Sequence, residues 1–431
     1  MIYTKNIEIK YDVDVFVAGG GPAGVTAAIA AARQGKSVFL AEASGAFGGL
    51  GTLGMVPSFA TFYDGVSFLA SGIGLDIRKK VSRDFPLETR WTPIDPEELK
   101  RVYDEEMSAS GADFSFFTTV CDVIAANGHI DYVICTAKSG LFAVKASVYV
   151  DCTGDGDLCA LGGGEFEYGD DSGKVMPGSL CSLWSNVSWE DTDGPQNKFI
   201  EEAYNDGVLT YDDRHLTGML KRSDSLGGGN IGHIFDIDPL DERSLTRSMI
   251  WGRYSMTEYE KYYSRYLKGY EGVKLSATAS LPGVRESRRV RCDYTLCVDD
   301  FIRRAVFDDE IGRYCYPIDI HIMNTGKEEL ERFNKEYHSM RYEKGESYGI
   351  PYRSLIARSF SNLLVAGRCI GSDRQMQASV RVIPGCYITG QAAGAAAALA
   401  SESGDVRNVK YSDLVRELRA LGAFLPNADR V

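Results

Sequence analysis

The feature that most constrains this chain is a glycine-rich turn that joins an apolar run to a helical segment near the N-terminus. Residues 13–18 are mostly β-branched or aromatic, which is typical of a buried parallel strand, and an alanine-rich helical pattern begins at Pro22. The turn between them reads Gly19-x-Gly21-x-x-Gly24. Glycines at this spacing let the backbone turn sharply and approach a pyrophosphate, while the amides of the helix N-terminus face the anion. We therefore predict a βαβ unit that binds a dinucleotide.

The glycine spacing alone is not specific, because it occurs twice more in the chain, beginning at Gly49 and at Gly227. No apolar strand-like run precedes either of these matches. Only the first match continues through a helix into a second strand, over residues 37–42. Glu42 closes that strand, where a carboxylate can accept hydrogen bonds from the ribose hydroxyls of an adenosine. The context therefore selects the first match as the dinucleotide site.

The size and charge of the chain exclude several classes of protein. A chain of 431 residues exceeds the size at which a single hydrophobic core stops growing, so we expect two domains. Its 47 basic and 60 acidic side chains give a net charge of −13, which argues against a nucleic acid or an anionic membrane as partner. The first residues lack the apolar core of a signal peptide, and the longest run of small apolar residues, 388–400, is too short to span a bilayer. We expect a cytoplasmic protein that does not insert into membranes.

The ten cysteines do not indicate a metal site or a disulfide framework. They show neither a CxxC motif nor the Cys/His spacing of a zinc site, so we expect no metal. Cys292 and Cys297 are the one close pair, and we expect two buried thiols on a strand there. A redox-active disulfide is the alternative for this pair.

The segment after the second strand continues the pattern of a cofactor-binding domain. The glycine-rich loop 43–55 suits a segment that lies along an extended cofactor, and a mobile surface loop is the alternative. Strand-like runs over residues 114–150, with an Asn-Gly turn between two of them, predict a third parallel strand followed by an antiparallel meander. The meander ends on Thr153-Gly154-Asp155, where the backbone can pass beneath the same cofactor or form a simple exposed turn.

The sequence pattern of the cofactor-binding domain stops near residue 162 and resumes near residue 362. Between about residues 162 and 344, amphipathic helical segments such as 241–269 lie beside strand-like runs, which predicts an inserted second domain. Residues 362–368 form another strand that ends on glycine. We expect a helix rich in small residues from Cys386 onward, and its N-terminus would suit the N1/O2 edge of a reduced, anionic flavin.

Seven motifs along the chain carry a resemblance to one protein family. They are Gly-Gly-Gly-Pro-Ala-Gly, Gly-Gly-Leu-Gly-Thr, Asp-Cys-Thr-Gly-Asp-Gly-Asp, Leu-Pro-Gly-Val-Arg-Glu-Ser-Arg-Arg, Tyr-Pro-Ile-Asp-Ile-His, Ile-Pro-Tyr-Arg-Ser-Leu and Leu-Leu-Val-Ala-Gly-Arg. Together they resemble the FAD-dependent oxidoreductases built on the glutathione-reductase-type FAD fold, in the branch that also contains fumarate reductase-like flavoproteins. The resemblance covers nearly the whole chain, and its motifs name a cofactor without naming a substrate.

The resemblance and the pattern along the chain together predict the architecture. We expect an α/β fold in which a Rossmann-like FAD-binding domain, with a parallel sheet and an antiparallel meander, carries an inserted α+β substrate or cap domain. The FAD-binding domain is discontinuous and comprises residues 1–161 and 345–431. The cap comprises residues 162–344, and residues 55–95 are a further candidate part of it.

The resemblance also implies which residues contact FAD. They come from the glycine-rich turn, the second strand, the loop after it, the meander and the late return of the chain: Gly19, Gly21, Pro22, Ala23, Gly24, Glu42, Ala43, Gly48, Gly49, Leu50, Gly51, Thr52, Val120, Thr153, Gly154, Asp155, Gly367, Arg368, Ser379, Val380, Arg381 and Val382. In this set the three glycines of the turn hold the pyrophosphate, Glu42 holds the ribose and Val120 approaches the adenine.

One position departs from the family pattern. Many relatives place an acid after the late glycine to bind the ribityl chain, whereas this chain has Arg368 there. Either Arg368 contacts a phosphate, or the ribityl acceptor comes from another residue such as Asp373. No histidine occurs between Glu42 and Val120, so this stretch offers none for the histidyl attachment of flavin found in fumarate reductase-like enzymes.

Three residues of the second domain are candidates for catalysis. Histidine is the usual base at neutral pH, and His321 and His233 each lie in an apolar, strand-like setting. We predict His321 as the acid/base, with His233 as second choice. Arg285 suits planar recognition of a carboxylate or polarisation of an oxygen. The alternative is structural: Arg285 could belong to an ion-paired strand with its charged neighbours, and the histidines could be satisfied core residues.

These residues predict an enzyme that transfers hydride between flavin N5 and a small polar metabolite, such as an alcohol, a carboxylate or a sugar-derived compound. A flavin monooxygenase or oxidase that uses O2 is the first alternative. A non-catalytic flavin subunit for electron transfer or redox sensing is the second. The external electron donor or acceptor and the oligomeric state are left open.

Overall fold

The computed structural model describes residues 4–430, apart from 212, 215 and 322–339. One seven-stranded sheet dominates it, with the strand order β5-β2-β1-β8-β7-β6 and with β17 also paired to β8. The strands of this central sheet are β1 (Ile9–Ala18), β2 (Val38–Ala41), β5 (Asp113–Ser115), β6 (Thr119–Ala126), β7 (His129–Ala137), β8 (Gly140–Asp151) and β17 (Leu363–Val365).

The central sheet combines a parallel part with an antiparallel meander, as the sequence predicts. Strand β1 pairs in parallel with β2 and β8, and the outer pairs β2–β5 and β8–β17 are parallel too. Strands β6, β7 and β8 run antiparallel to one another in turn. Asn127 and Gly128 both have positive φ, 50° and 73°, as a tight hairpin turn requires. The predicted Rossmann-like α/β fold is confirmed.

Ten α-helices lie within the described residues. They are α1 (Pro22–Ala32), α2 (Ile73–Lys80), α3 (Pro96–Ser110), α4 (Asp157–Leu161), α5 (Ile200–Asn205), α6 (Glu242–Tyr266), α7 (Val298–Ile302), α8 (Arg374–Val380), α9 (Ile383–Ala400) and α10 (Tyr411–Ala420). None of them is by itself long and apolar enough to cross a membrane, although α8 and α9 together, bent by 94°, reach that length and apolarity.

The small residues of α9 bring this helix into backbone contact with α1. A Cβ atom added to Gly390 would lie 2.2 Å from the carbonyl oxygen of Ala23, and one added to Gly394 would lie 2.1 Å from that of Ala27. Both distances are far inside van der Waals contact, so only glycine fits. The helix rich in small residues thus joins the late part of the chain to the first βαβ unit.

The remaining strands form smaller sheets. The largest has the order β11-β12-β10-β13, and three two-stranded sheets pair β3 with β4, β9 with β14 and β15 with β16. These strands are β3 (Ser58–Phe59), β4 (Thr92–Pro93), β9 (Phe166–Tyr168), β10 (Ser182–Ser185), β11 (Gly218–Lys221), β12 (Gly227–Asn230), β13 (Lys274–Thr278), β14 (Arg288–Val290), β15 (Glu310–Tyr314) and β16 (Tyr348–Pro351). A separate aromatic cluster that includes Trp184, Tyr262 and Tyr263 lies between β10 and α6.

Several predicted boundaries differ from the structure. Helix α9 begins at Ile383 rather than Cys386, because Pro384 fits the first helical turn, where no backbone hydrogen bond is lost. The last helix begins at Tyr411, directly after Lys410, and no side chain caps it. Cys292 is buried as predicted, whereas Cys297 is partly exposed and precedes α7 rather than lying in a strand. Both are free thiols.

The packing of α9 on α1 predicts the effect of one added methyl group. Gly394→Ala should lower the free energy of unfolding by about 1 to 3 kcal/mol, because the Cβ atom forces the two helices apart. Thermal or denaturant unfolding measures this loss. Thr257→Ala, at an exposed position of α6, is the matched control and should not lower stability, because its Cβ meets solvent. Equal stability of the two variants would contradict the proposed close approach.

Candidate active site

A cavity of about 490 Å³ lies at the carboxyl ends of the parallel strands, where ligands bind in open α/β sheets. It begins beside the glycine-rich turn after β1 and reaches the first turn of α9. Sixteen residues that the sequence assigns to cofactor binding line it: Gly19, Gly21, Pro22, Ala23, Glu42, Ala43, Gly49, Leu50, Gly51, Val120, Thr153, Gly154, Asp155, Gly367, Arg368 and Arg381. Residues that are far apart in the chain thus form one elongated site.

The three glycines of the turn have different roles. Gly19 has φ +91°, and a Cβ atom there would lie 2.7 Å from the carbonyl oxygen of Cys152. A Cβ atom on Gly24 would lie 1.8 Å from the carbonyl oxygen of Gly19. A Cβ atom on Gly21, in contrast, would meet no protein atom within 4 Å. The fold itself requires Gly19 and Gly24, whereas at Gly21 only a bound ligand would exclude a side chain.

Glu42 is held rigidly at the edge of the cavity. One carboxylate oxygen accepts a hydrogen bond of 2.7 Å from the backbone N–H of Gly20, and the other accepts one of 2.7 Å from that of Ser44. Each carboxylate oxygen can accept more than one hydrogen bond, so Glu42 keeps capacity for a ligand hydroxyl. Its fixed position suits the predicted contact with a ribose.

The two alternatives for the late polar contact occupy different places. Arg368 lines the cavity, and its guanidinium donates a hydrogen bond of 2.8 Å to Asp155, which lines it too. The carboxylate of Asp373 instead caps α8 by accepting from the backbone N–H of Met376 at 2.7 Å, and it also accepts from that of Val298. Asp373 is absent from the cavity lining. The structure therefore brings Arg368, and not Asp373, to the cavity.

Six further residues of the predicted cofactor set do not line the cavity: Gly24, Gly48, Thr52, Ser379, Val380 and Val382. Local structure explains their positions. The hydroxyl of Thr52 donates to the carbonyl oxygen of Phe47 at 2.5 Å, within the loop. Ser379 is buried in α8 and donates to the carbonyl oxygen of Tyr316. Val382 is the N-cap residue of α9.

A second group of polar side chains forms a row in which Asp213 and His233 are buried, His321 is nearly buried and Asp319 is partly exposed. The Nδ1 atom of His233 lies 3.1 Å from a carboxylate oxygen of Asp213, and its Nε2 atom lies 2.8 Å from Nδ1 of His321. The Nε2 atom of His321 lies 3.5 Å from a carboxylate oxygen of Asp319. The sequence selected both histidines but missed both aspartates. Asp319 could have been found, because it lies two residues before His321 in a strand-like run, whereas nothing marks Asp213.

Arg285 lies close enough to this row to act on it electrostatically. Its side chain is buried and donates 2.7 Å and 2.9 Å hydrogen bonds to the carbonyl oxygen of Pro177 and the hydroxyl of Ser179. Within the described parts of the chain, no carboxylate forms an ion pair with it. Burial lowers the pKa of Arg285 to about 10. A buried guanidinium in this state suits an anionic ligand.

The charged neighbours of Arg285 form ion pairs within the fold. Glu286 accepts hydrogen bonds from Arg289 at 2.7 Å and from Arg374 at 3.0 Å, and Arg288 pairs with Asp157. These ion pairs link β14 to α8 and α4. Arg285 takes no part in them, and the absence of a carboxylate partner among the described residues distinguishes it from the charged residues beside it.

Arg381 connects the polar row with the cavity. Its guanidinium donates to the backbone oxygen of Asp319 at 2.9 Å and approaches the carboxylate at 3.4 Å. The same side chain lines the cavity. Its buried Nε has no hydrogen-bond acceptor in the part of the chain that the structure describes. An unsatisfied buried donor is costly, and a polar ligand atom in the cavity could satisfy it.

Burial keeps both imidazoles of the row uncharged. It lowers the pKa of His233, and burial together with the positive charge of Arg285 lowers the pKa of His321 well below the ordinary histidine value. Both rings are therefore neutral at neutral pH and can accept a proton. Among the described residues, no group of three or more His, Cys, Asp or Glu side chains could hold a metal ion.

The profile of the family described as FAD dependent oxidoreductase matches residues 14–418. A search of curated proteins finds no match. The chain is similar to solved structures of a geranylgeranyl bacteriochlorophyll reductase-like protein from Thermoplasma acidophilum (14% identity, 95% of this chain and 83% of that chain, TM-score 0.45) and of p-nitrophenol 4-monooxygenase from Pseudomonas putida (9% identity, 94% and 84%, TM-score 0.45).

Gly21 provides a test of the cavity as the cofactor site. Gly21→Ala should fold normally, because its Cβ atom meets no protein atom, but it should bind FAD about 10- to 100-fold more weakly, because a methyl group fills the cradle. Flavin absorbance measures occupancy, and thermal unfolding of the FAD-free protein measures stability. Gly24→Ala is the matched variant and should lose stability as well as FAD. Unchanged FAD binding in Gly21→Ala would contradict the assignment.

Proposed function

The chain belongs to the FAD-dependent oxidoreductase family and uses FAD as its cofactor, and from this premise we propose that it transfers hydride between the flavin and a small polar metabolite. The substrate would be an alcohol, a carboxylate or a sugar-derived compound. The observation that carries the proposal is the buried row of His233 and His321 beside Arg285, which meets the cavity through Arg381. The same proposal includes the cap domain over residues 162–344 and a cytoplasmic location.

The residues of the cavity fit FAD in their chemistry. The uncapped N-terminus of α1 has no acidic residue in its first turn, so its amides at Ala23 and beyond suit the diphosphate. Glu42 would bind the adenosine ribose. Arg381 and the N-terminus of α9, which also lacks an acidic first turn, would stabilise negative charge at the flavin end. Bound FAD supplies the hydride acceptor or donor.

We propose that His321 moves the proton that accompanies hydride transfer. Oxidation of an alcohol requires a base at the hydroxyl group while the hydride leaves the carbon. A neutral imidazole provides this base, and burial keeps His321 neutral. The carboxylate of Asp319, 3.5 Å from Nε2, would stabilise the imidazolium that forms.

We further propose that Arg285 orients the substrate. Its guanidinium is fixed by a carbonyl and a hydroxyl, and its charge has no carboxylate partner among the described residues. A carboxylate or a developing oxyanion of the substrate would supply the missing negative charge. The low polarity of a buried site strengthens that attraction.

A substrate screen tests this function. The protein, purified with FAD, is mixed anaerobically with alcohols, hydroxy acids, sugars and unsaturated carboxylates, and loss of flavin colour reports reduction. Bleaching by one class supports the hydride-transfer proposal. Oxygen consumption with a hydroxylated product would instead identify a monooxygenase or oxidase. Flavin that is reduced only through a stable protein partner, with no turnover alone, would identify an electron-transfer subunit.

His321→Ala should lower the rate of substrate-dependent flavin reduction by about 100-fold or more while FAD stays bound, because the base is lost. Stopped-flow absorbance measures the rate, and the flavin spectrum measures occupancy. His129→Ala is the matched control, because His129 lies in the meander with Ser361 and Asn362 as partners. An unchanged rate in His321→Ala would contradict the role of His321.

The pH dependence of the rate should reveal the charge of Arg285. Because burial and Arg285 lower the pKa of His321, the base stays neutral below pH 6.5, and the rate should fall only when the pH drops below that lowered pKa. Arg285→Met removes a positive charge and should raise the pKa of His321, so the acid limb should move to higher pH. Arg285→Lys keeps the charge and should leave the limb in place. An acid limb at the same pH in the wild type and in both variants would contradict the effect of Arg285 on the pKa of His321.

A further inference from the structure

The two carboxylate oxygens of Asp155 have different surroundings. Its Oδ1 atom accepts a hydrogen bond of 2.8 Å from the guanidinium of Arg368 and another from the hydroxyl of Ser287. Within the described part of the chain, both donors contact Oδ1 and none contacts Oδ2. The side chain of Asp155 is 26% exposed, and the residue lines the cavity. Because an ionised carboxylate only accepts hydrogen bonds, Oδ2 can accept one from a ligand.

Several contacts fix this carboxylate in place. Ser287 is fully buried, and its oxygen lies 3.5 Å from Nη1 of Arg368, so its hydroxyl accepts from Arg368 while it donates to Asp155. Arg288 donates to the backbone oxygen of Asp155 at 3.0 Å. Gly154 has φ +81°, and a Cβ atom there would lie 2.9 Å from Nη2 of Arg368. The glycine therefore gives the guanidinium room to reach the carboxylate of the next residue.

The position of Asp155 along the cavity narrows the choice of ligand group. The adenosine end of the site lies at β2, and the first turn of α9 lies at the other end. Arg368, which holds Asp155, directly follows Gly367. A Cβ atom on Gly367 would lie 3.1 Å from Cβ of Ala23, in the first turn of α1, and 3.7 Å from the sulfur of Cys386, in α9. The pair of Arg368 and Asp155 therefore lies between the diphosphate position and the flavin end.

The chemistry of FAD leaves one kind of partner for Oδ2 at this position. The diphosphate is anionic, so a carboxylate repels it. Between its diphosphate and its ring system, FAD has hydroxyl groups only on the ribityl chain. A hydroxyl can donate to Oδ2, and hydrogen bonds to an ionised acceptor are about twice as strong as neutral ones. A ribityl hydroxyl is therefore the group of FAD that fits this carboxylate.

We propose that Asp155 accepts a hydrogen bond from a ribityl hydroxyl of FAD through Oδ2, and that Arg368 is a positioning residue that holds the carboxylate for this contact. The segment after β8 would thus supply the acceptor that Asp373 does not, since Asp373 caps α8. This inference rests on FAD as the cofactor and is independent of the substrate and of the proposed hydride transfer.

Binding of FAD analogues tests the contact. The full chain, freed of FAD, is titrated with FAD and with analogues that each lack one ribityl hydroxyl, and flavin fluorescence gives Kd. The wild type should bind one analogue about 10- to 100-fold more weakly than FAD, because it loses a hydrogen bond to a charged group. Asp155→Ala should bind that analogue and FAD equally well. Equal wild-type affinities for FAD and every analogue would overturn the proposal, and so would undiminished discrimination in Asp155→Ala.

Asp155→Asn keeps the test decisive if Asp155→Ala does not fold. Its amide oxygen can still accept from Arg368 and Ser287, and its NH₂ group then takes the place of Oδ2. A hydroxyl can accept from this group, so the contact keeps its geometry and loses its charge. Discrimination between FAD and the critical analogue should fall below that of the wild type. The same discrimination in Asp155→Asn as in the wild type would overturn the proposal.

Arg368→Met separates positioning from a direct contact with phosphate. If Arg368 holds Asp155, this variant should bind FAD more weakly and should also lose most of the discrimination against the critical analogue. A guanidinium that contacts only the diphosphate would instead weaken FAD and every analogue by the same factor, and that result would overturn the positioning role. Arg416→Met, at an exposed position of α10, is the matched control and should leave all these affinities unchanged.

The binding measurements and the substrate screen fail separately. Binding is measured without a substrate, so a flavin that no metabolite reduces would contradict hydride transfer and leave the ribityl contact standing. Loss of discrimination in neither Asp155 variant would remove the role of Asp155, while bleaching of the flavin by a metabolite would still support the proposed function.

Discussion

The close approach of the glycine-rich turn to its own helix and to β8 is the contact on which the rest of the structure depends. Gly24 packs against the carbonyl of Gly19, and Gly19 packs against Cys152 at the end of β8, with no space for a side chain at either glycine. This packing aims the N-terminus of α1 along the end of the sheet. The cavity lies beside this turn and reaches the first turn of α9. The late strand β17 pairs with the same strand, β8, against whose end the turn packs.

The buried charges of this flavoenzyme are of two kinds: those that are paired with an opposite charge in the protein and those that contact only neutral oxygens. Glu286 lies among Arg289 and Arg374, and this buried group is balanced within the protein. Arg285, one residue earlier, is held by neutral oxygens and has no described carboxylate in contact. Adjacent residues thus differ in their charge partners: the charge of Glu286 is compensated by arginines of the fold, whereas the charge of Arg285 is available to an anionic ligand.

The sequence could predict the backbone around the cavity because short local patterns determine it. Strand β1, helix α1 and the meander follow from apolar runs, glycine turns and the Asn-Gly hairpin, and the structure confirms them. The polar row could be predicted only in part. Histidine chemistry pointed to His233 and His321, but Asp213 lies in an irregular segment, and its role depends on a tertiary contact with no local pattern.

The pairing of β17 with β8 has a consequence for synthesis. Leu363 and Val365 pair with Tyr149 and Asp151, so the end of β8 lacks this neighbour until more than 200 later residues have left the ribosome. Helix α9, which covers α1, emerges later still. The nascent chain must keep a partly uncovered sheet from associating with other chains during this interval. The order of the segments therefore leaves one edge of β8 unpaired while the middle of the chain is being synthesised.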